Sequence, residues 1–262
     1  MSETIDALRL YFGEDYKIND YITIHNPTIG DVLKCGEQNY FRSLHLLTAI
    51  PSDMKAMLWD MEINWMEISD FDFFCLLTRG LTSKDTQIFL GNLDLSKFSY
   101  AVNQKNGEHI LYYELPNGDG ITIDQSIYLR MMEVLRRIHG ITPKVEKAGT
   151  KTLTKILVEL NRSDIEKANK KPFESSLLPL VSSMLNAEGF KYDLDGIKKM
   201  PYYTFMDSVK RITLIKSTTA LLHGCYGGWI DGSKIDKKSL NWLKDFDSEN
   251  KVNKNIIENK KA

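Results

Sequence analysis

The longest continuous pattern in the chain runs from Met200 to Phe246. After Pro201, apolar residues recur at helical spacing for about five turns, at Phe205, Val209, Ile212, Ile215 and Leu222. Glycines then interrupt the pattern around an aromatic turn, at Gly224, Gly227 and Gly228. We therefore predict a long helix around which the body of the protein packs. After the turn, a short last helix capped by Asp236 is expected to dock back on the body.

The composition is that of a globular protein, with 42% hydrophobic and 26% charged residues in 262. A formal net charge of −1 does not suggest a general nucleic-acid binder, which usually carries a positive excess. Cys35, Cys75 and Cys225 lie far apart, so we expect free thiols in a reducing compartment. No apolar run approaches the roughly 20 residues of a membrane span, and we expect neither a secretory signal nor a membrane partner.

The first third of the chain predicts a helical body behind a short β arm. Leu8–Phe12 and Tyr21–Ile24 are β-type runs joined by polar turn residues. They predict a β hairpin arm over residues 1–26. Helix start signals, such as Thr28, recur at short intervals afterwards and predict a helical subdomain over residues 27–97.

Residues 98–123 change to β-type runs, FSYAV, HILYYEL and GITID, separated by two joints that contain Asn-Gly. They predict an antiparallel meander that packs internally or pairs between subunits. Asp124 as an N-cap begins a C-terminal helical subdomain over residues 124–246, and residues 247–262 are polar enough to predict a flexible tail. The expected fold is mainly α with a small inserted antiparallel β meander, an α+β protein with a helical body.

The part of the chain between Thr142 and Lys171 is polar and shows only short runs of regular pattern. Thr142–Thr152 is predicted as a polar linker, Leu153–Leu160 as a short helix or strand, and Asn161–Lys171 as a short helix capped by Ser163. Four lysines at spacings of three and four could form a positive strip on a helix, namely Lys144, Lys147, Lys151 and Lys155. Acidic residues lie among and after these lysines, so the favoured interpretation is a solvent-exposed face of mixed charge and not a phosphate-binding strip.

No residue pattern indicates catalysis. Gly149-Thr150-Lys151-Thr152 lacks the upstream glycine of a phosphate-binding loop, and the five histidines show no metal-ligand spacing. His139 and His223 each precede a glycine at a predicted helix end, where a cation is favoured by the helix dipole. We therefore expect no enzymatic activity, no cofactor and no metal.

Methionine and aromatic residues near loops and helix ends are the predicted partner-binding residues. Flexible thioethers adapt to helical partners, and half-exposed tryptophans are common interface anchors. The set is Met54, Met57, Trp59, Met61, Trp65, Tyr226 and Trp229. The alternative for the methionines is an internal packing seam, and for the aromatic turn it is burial against the last helix.

Two parts of the chain carry a resemblance to a known group of proteins. MPYYTFMDSVKRI and HGCYGGWIDGSKIDKKSLNWLKDF near the C-terminus, with IPSDMKAMLWDM and ISDFDFFCLLTRG earlier, resemble proteins of the tail gene module of phages and prophages of Gram-positive bacteria. The resemblance spans most of residues 8–246. Such proteins are often labelled tail assembly chaperones or minor virion components, and the resemblance implies no catalytic residues.

The resemblance implies a non-enzymatic tail assembly protein, chaperone-like, that acts through protein–protein contacts. Its expected partners are the tape-measure or tube protein, or copies of itself, in the host cytoplasm or within the virion. One alternative is a structural subunit of the virion tail, baseplate or connector. A second is a DNA-associated phage protein, although nucleic acid is not an expected partner at this net charge.

Overall fold

The computed structural model describes residues 5–104 and 106–243. In these residues the chain is mainly α, with two small antiparallel sheets, which confirms the predicted fold class. The helices are α1 Ala7–Tyr11, α2 Ile29–Cys35, α3 Glu37–Thr48, α4 Lys55–Asp60, α5 Asp70–Thr78, α6 Ser83–Leu90, α7 Gln125–His139, α8 Lys151–Lys170, α9 Leu177–Leu185, α10 Leu194–Lys199 and α11 Tyr202–Tyr226. The strands are β1 Tyr16–Lys17, β2 Thr23–Ile24, β3 Ser99–Val102, β4 His109–Glu114 and β5 Gly120–Ile123.

The chain divides into two compact units between Phe205 and Met206. The predicted tail over residues 247–262 lies outside the described residues, and the predicted boundaries of the arm and the two helical subdomains stay predictions.

The N-terminal arm contains a helix that the sequence pattern did not predict. The predicted strand over Leu8–Phe12 is wrong, because this run forms α1. The Asp6 carboxylate caps it by accepting hydrogen bonds from the backbone N–H groups of Leu8 at 2.9 Å and Arg9 at 3.3 Å. A hairpin follows the helix, as β1 paired antiparallel with β2, so of the two predicted strands only the second, over Tyr21–Ile24, is present in part.

Helix α7 forms the centre of the first unit. Six of its side chains are buried, namely Tyr128, Met131, Met132, Val134, Leu135 and Ile138. The predicted ends are confirmed: Asp124 accepts from the Ile127 N–H at 2.8 Å, and Gly140 has the left-handed backbone that closes the helix. The meander, ordered β3-β4-β5, places β5 against α7 and buries Leu111 and Ile123. Residues 98–123 therefore pack internally.

His139 at the end of α7 is not the charged capping residue that the sequence suggested. Its Nδ1 lies 2.7 Å from the Leu135 carbonyl oxygen, so Nδ1 carries the proton and donates it. Its Nε2 then accepts from the Tyr40 hydroxyl at 2.6 Å. Burial lowers the pKa of His139 to about 4, because the desolvation of a charged ring outweighs the opposing effect of the hydrogen bond to the Leu135 carbonyl.

Helix α11 spans the boundary between the two units. Within the first unit the Tyr202 N–H donates to the Pro27 carbonyl at 2.8 Å, and Phe205 is fully buried. After Phe205 the predicted apolar stripe is half-buried or exposed, and Ile215 is 38% exposed. The stripe is fully buried only at its start, and the prediction that the body of the protein packs around this whole helix stays a prediction.

In the second unit the chain after α11 folds back along that helix. The N–H groups of Trp229 and Ile230 both donate to the Gly224 carbonyl, at 2.9 and 3.1 Å, which closes the aromatic turn. Thr218 alone is buried among the described side chains of this unit, and its hydroxyl donates to the Ser239 carbonyl at 3.4 Å. The predicted last helix is a single 3-10 turn over Lys237–Leu240.

Candidate partner-binding groove

An open groove of about 910 Å³ lies between the end of α4 and the start of α8. One wall comes from residues 59–66 and the other from residues 148–155. We call it the Trp59 groove, after the half-exposed tryptophan on its first wall.

A buried apolar cluster supports the groove. It consists of Ala49, Ala56, Leu58, Trp65, Phe73 and Val158. Ile63 and Met66 are only partly buried against this cluster and line the groove above it. Because these side chains are held from below by packed neighbours, the apolar part of the groove is formed before any partner arrives.

Polar contacts fix α8 against α4. The Asn161 side-chain oxygen accepts from the Ala56 N–H at 3.0 Å, and its amide group donates to the Asp53 carbonyl at 3.2 Å. Arg162 donates two hydrogen bonds to the Asp60 carboxylate, at 3.0 and 2.8 Å. These bonds hold the pKa of Asp60 below its ordinary value. The two walls therefore keep one relative position.

The segment before α8 crosses the apolar cluster and joins the two walls. The Glu146 carbonyl accepts from the Trp65 indole N–H at 3.3 Å, and the Glu146 carboxylate accepts from the buried Lys55 ammonium at 2.7 Å. Two residues later, the Ala148 N–H donates to the Met66 sulfur at 3.2 Å. The segment is thus attached at Glu146 to Trp65 and Lys55, and at Ala148 to Met66 of the first wall.

Glu62 occupies a backbone position that usually belongs to glycine. Helix α4 ends in a Schellman motif, with the Ile63 N–H bonded to the Leu58 carbonyl at 2.9 Å and the Glu62 N–H to the Trp59 carbonyl at 3.0 Å. Glu62 has φ of +59°, the one positive value at a non-glycine residue in the described chain. A side chain is disfavoured in this conformation, and such outliers concentrate at functional sites.

The walls carry opposite charges. Lys151 and Lys155 lie one turn apart at the start of α8, which Thr150 caps by accepting from the Leu153 N–H at 3.2 Å. Glu62 faces solvent on the other wall. Within the described residues none of the three forms an ion pair, so their charges are available to a bound molecule.

The structure groups five of the seven predicted partner-binding residues in one region. Trp59 lines the groove and is 42% exposed, and Met61 near it in sequence is exposed. Met54 and Met57 are partly buried against the apolar cluster. Trp65 is 3% exposed, so it supports the groove from within.

Tyr226 and Trp229 belong to the second unit. They flank the glycine turn and are 86% and 89% exposed, among the most exposed large side chains of the described residues. Burial of this turn against the last helix, the alternative in the sequence analysis, is therefore wrong.

Sequence reasoning missed the second wall. The predicted linker over Thr142–Thr152 ends too late, because α8 begins at Lys151. The two elements predicted after it are helical, but they form one unbroken helix up to Lys170, so the strand alternative and the cap at Ser163 are wrong. The signal was present in Thr150, an N-cap residue followed by apolar residues at helical spacing. Lysines scattered among acidic residues obscured this pattern.

A polar cluster outside the groove fastens the meander to α5. Asp72 accepts from His109 at 2.6 Å, from the Tyr100 hydroxyl at 3.1 Å and from the Ser69 hydroxyl at 2.6 Å. Burial raises the pKa of Asp72, but the hydrogen bonds from Ser69, His109 and Tyr100 outweigh it and lower the pKa overall. The cluster therefore joins α5 to the meander and has a structural role.

Comparison with known proteins returns nothing, since no family model, no curated protein and no solved structure matches the chain. Within residues 5–104 and 106–243, no helix is long and apolar enough to cross a membrane. In the same residues no group of three or more His, Cys, Asp or Glu side chains is arranged to hold a metal ion.

Proposed function

We propose that this chain is a non-enzymatic assembly protein that holds a helical segment of another protein in the Trp59 groove. The observation that carries the proposal is Trp59 itself, half-exposed on the wall of a groove whose apolar floor is already packed. Large aromatic side chains in such positions are typical anchors of protein interfaces. Met66 in the groove adds a thioether that can adapt to different apolar partners.

The biological setting of the proposal comes from the resemblance to phage tail-module proteins. In that setting the chain acts in the host cytoplasm as a tail assembly chaperone. Its partners are the tape-measure or tube protein, whose helical segments would be protected in the groove before assembly.

A structural subunit of the virion is the second candidate function. The observation in its favour is the exposed pair Tyr226 and Trp229 in the second unit, a second aromatic surface suited to contacts with a neighbouring copy. Mass spectrometry of purified virions separates the two candidates, because a chaperone is absent from mature particles and a subunit is present.

Replacing Trp59 with alanine is expected to weaken partner binding by at least tenfold, because the substitution removes a central aromatic anchor. The measurement is co-purification of the tagged chain with co-expressed tape-measure and tube proteins, followed by titration of the one retained. Trp242→Ala is a matched control, since Trp242 is 46% exposed and belongs to the second unit. Failure to retain either protein, or equal binding by both variants, would contradict the proposal.

A further inference from the structure

We infer that the Trp59 groove sets the direction of its occupant by charge. The occupant is an amphipathic helical segment of a partner protein whose acidic flank lies toward α8 and whose basic flank lies toward Glu62. This inference rests on the proposed docking function and specifies which segments the groove accepts.

The α8 wall is positive. Lys151 and Lys155 are separated by four residues, so their side chains extend from the same face of the helix. Both are exposed and form no ion pair within the described residues. The start of a helix of 20 residues adds the positive end of its dipole to the same wall. An acidic side chain of the occupant is favoured here.

The opposite wall offers one free carboxylate. Asp60 is engaged by the two hydrogen bonds from Arg162, whereas Glu62 is exposed and has no ion-pair partner in the described chain. Glu62 also keeps the left-handed backbone of the Schellman position, where glycine would fit without a Cβ penalty. A glutamate in a position that favours glycine suggests that its carboxylate has a role, and a basic side chain of the occupant is its complement.

Charge then selects a direction. An amphipathic helix laid on the apolar floor has one flank toward each wall, and turning it end over end exchanges the flanks. With unlike charges on the two walls, a helix that is acidic on one flank and basic on the other makes favourable pairs in one direction and like-charge contacts in the reverse direction. A helix with two like flanks meets one repulsive wall in either direction.

The test uses three fluorescein-labelled helical peptides of about 18 residues with the same leucine stripe. One has a glutamate flank and a lysine flank, one has two glutamate flanks, and one has two lysine flanks. The wild-type chain is expected to bind the mixed peptide about fivefold more tightly than either other peptide, as a few exposed ion pairs allow. Glu62→Lys should shift the preference to the all-glutamate peptide, and the double variant Lys151→Glu/Lys155→Glu to the all-lysine peptide.

Two control variants place charge changes on exposed residues elsewhere in the first unit, Lys84→Glu and Glu188→Lys, and should leave the preferences unchanged. The variant Glu62→Gly separates the effect of the backbone conformation from the effect of the charge. Because glycine fits the positive φ, the thermal midpoint is expected to rise by about 2–4 °C. Because the carboxylate is lost, the preference for the mixed peptide over the all-glutamate peptide should disappear.

The outcomes distinguish the two proposals. If the wild-type chain binds all three peptides equally, the inference about direction is overturned while docking in the groove stands. If no peptide binds at about 100 μM, the proposed function fails together with the inference. If the chain self-associates and Trp59→Ala abolishes this, the occupant is a second copy and the inference is likewise overturned.

Discussion

Replacing Trp65 with alanine is expected to lower the free energy of unfolding by about 3–5 kcal/mol, the range for a buried aromatic side chain in a packed core. Trp65 is 3% exposed and belongs to the cluster that joins α4, α5 and α8. Its removal leaves a cavity under the groove and takes away the indole N–H that donates to the Glu146 carbonyl at 3.3 Å. The measurement is urea unfolding followed by circular dichroism.

Trp59→Ala provides the matched comparison, since Trp59 is 42% exposed and lies six residues earlier. That variant is expected to lose less than about 1 kcal/mol. If the two variants were equally stable, the assignment of Trp65 to the core and Trp59 to the binding surface would be refuted.

Stability is expected to fall as the pH is lowered from about 7 to about 5, by about 2 kcal/mol from His139 alone. The pKa of His139 is about 4 in the folded protein and near the ordinary value of about 6.5 in the unfolded chain. The unfolded chain therefore binds more protons between these two values, and acid favours unfolding. Below about pH 4 both states are protonated and this contribution no longer changes.

The variant His139→Gln isolates this effect. It is expected to be less stable than the wild type near neutral pH, because the hydrogen bonds to Leu135 and Tyr40 are disturbed. Its stability should change less over the same pH interval, because glutamine does not titrate. Parallel pH profiles of the two proteins would show that His139 is not the buried neutral group described here.

Helix α7 shows what the sequence alone could predict. Asp124 and Gly140 mark its ends, and its apolar residues recur at helical spacing, so local signals and tertiary packing agree. The meander was predictable for the same reason, because its Asn-Gly joints fix the hairpins within a few residues.

Distant contacts explain the errors. The sequence of α11 shows an apolar stripe but does not show which residues cover it. His139 was predicted as a cation from its place at a helix end, whereas burial keeps its ring neutral and the Tyr40 hydroxyl, 99 residues earlier, donates to it. Local rules cannot anticipate a partner so far away in the chain.

The sequence predicted one of the two walls of the Trp59 groove. Methionines and tryptophans over residues 54–66 predicted an interaction surface, and Trp59 lies on the wall of the groove. The second wall comes from a helix that begins about 90 residues later, so the groove and its opposed charges exist only once α8 packs on α4. Trp65, predicted on the same grounds as Trp59, is buried because the segment around Glu146 crosses over it.

Hydrogen–deuterium exchange of the whole chain, alone and with saturating mixed-charge peptide, tests the central claim most directly. We predict slower exchange over residues 59–66 and 148–155, the two walls of the Trp59 groove, and unchanged exchange over residues 224–230. Protection confined to the aromatic turn of the second unit, or no protection anywhere, would contradict the assignment of the groove as the partner-binding site.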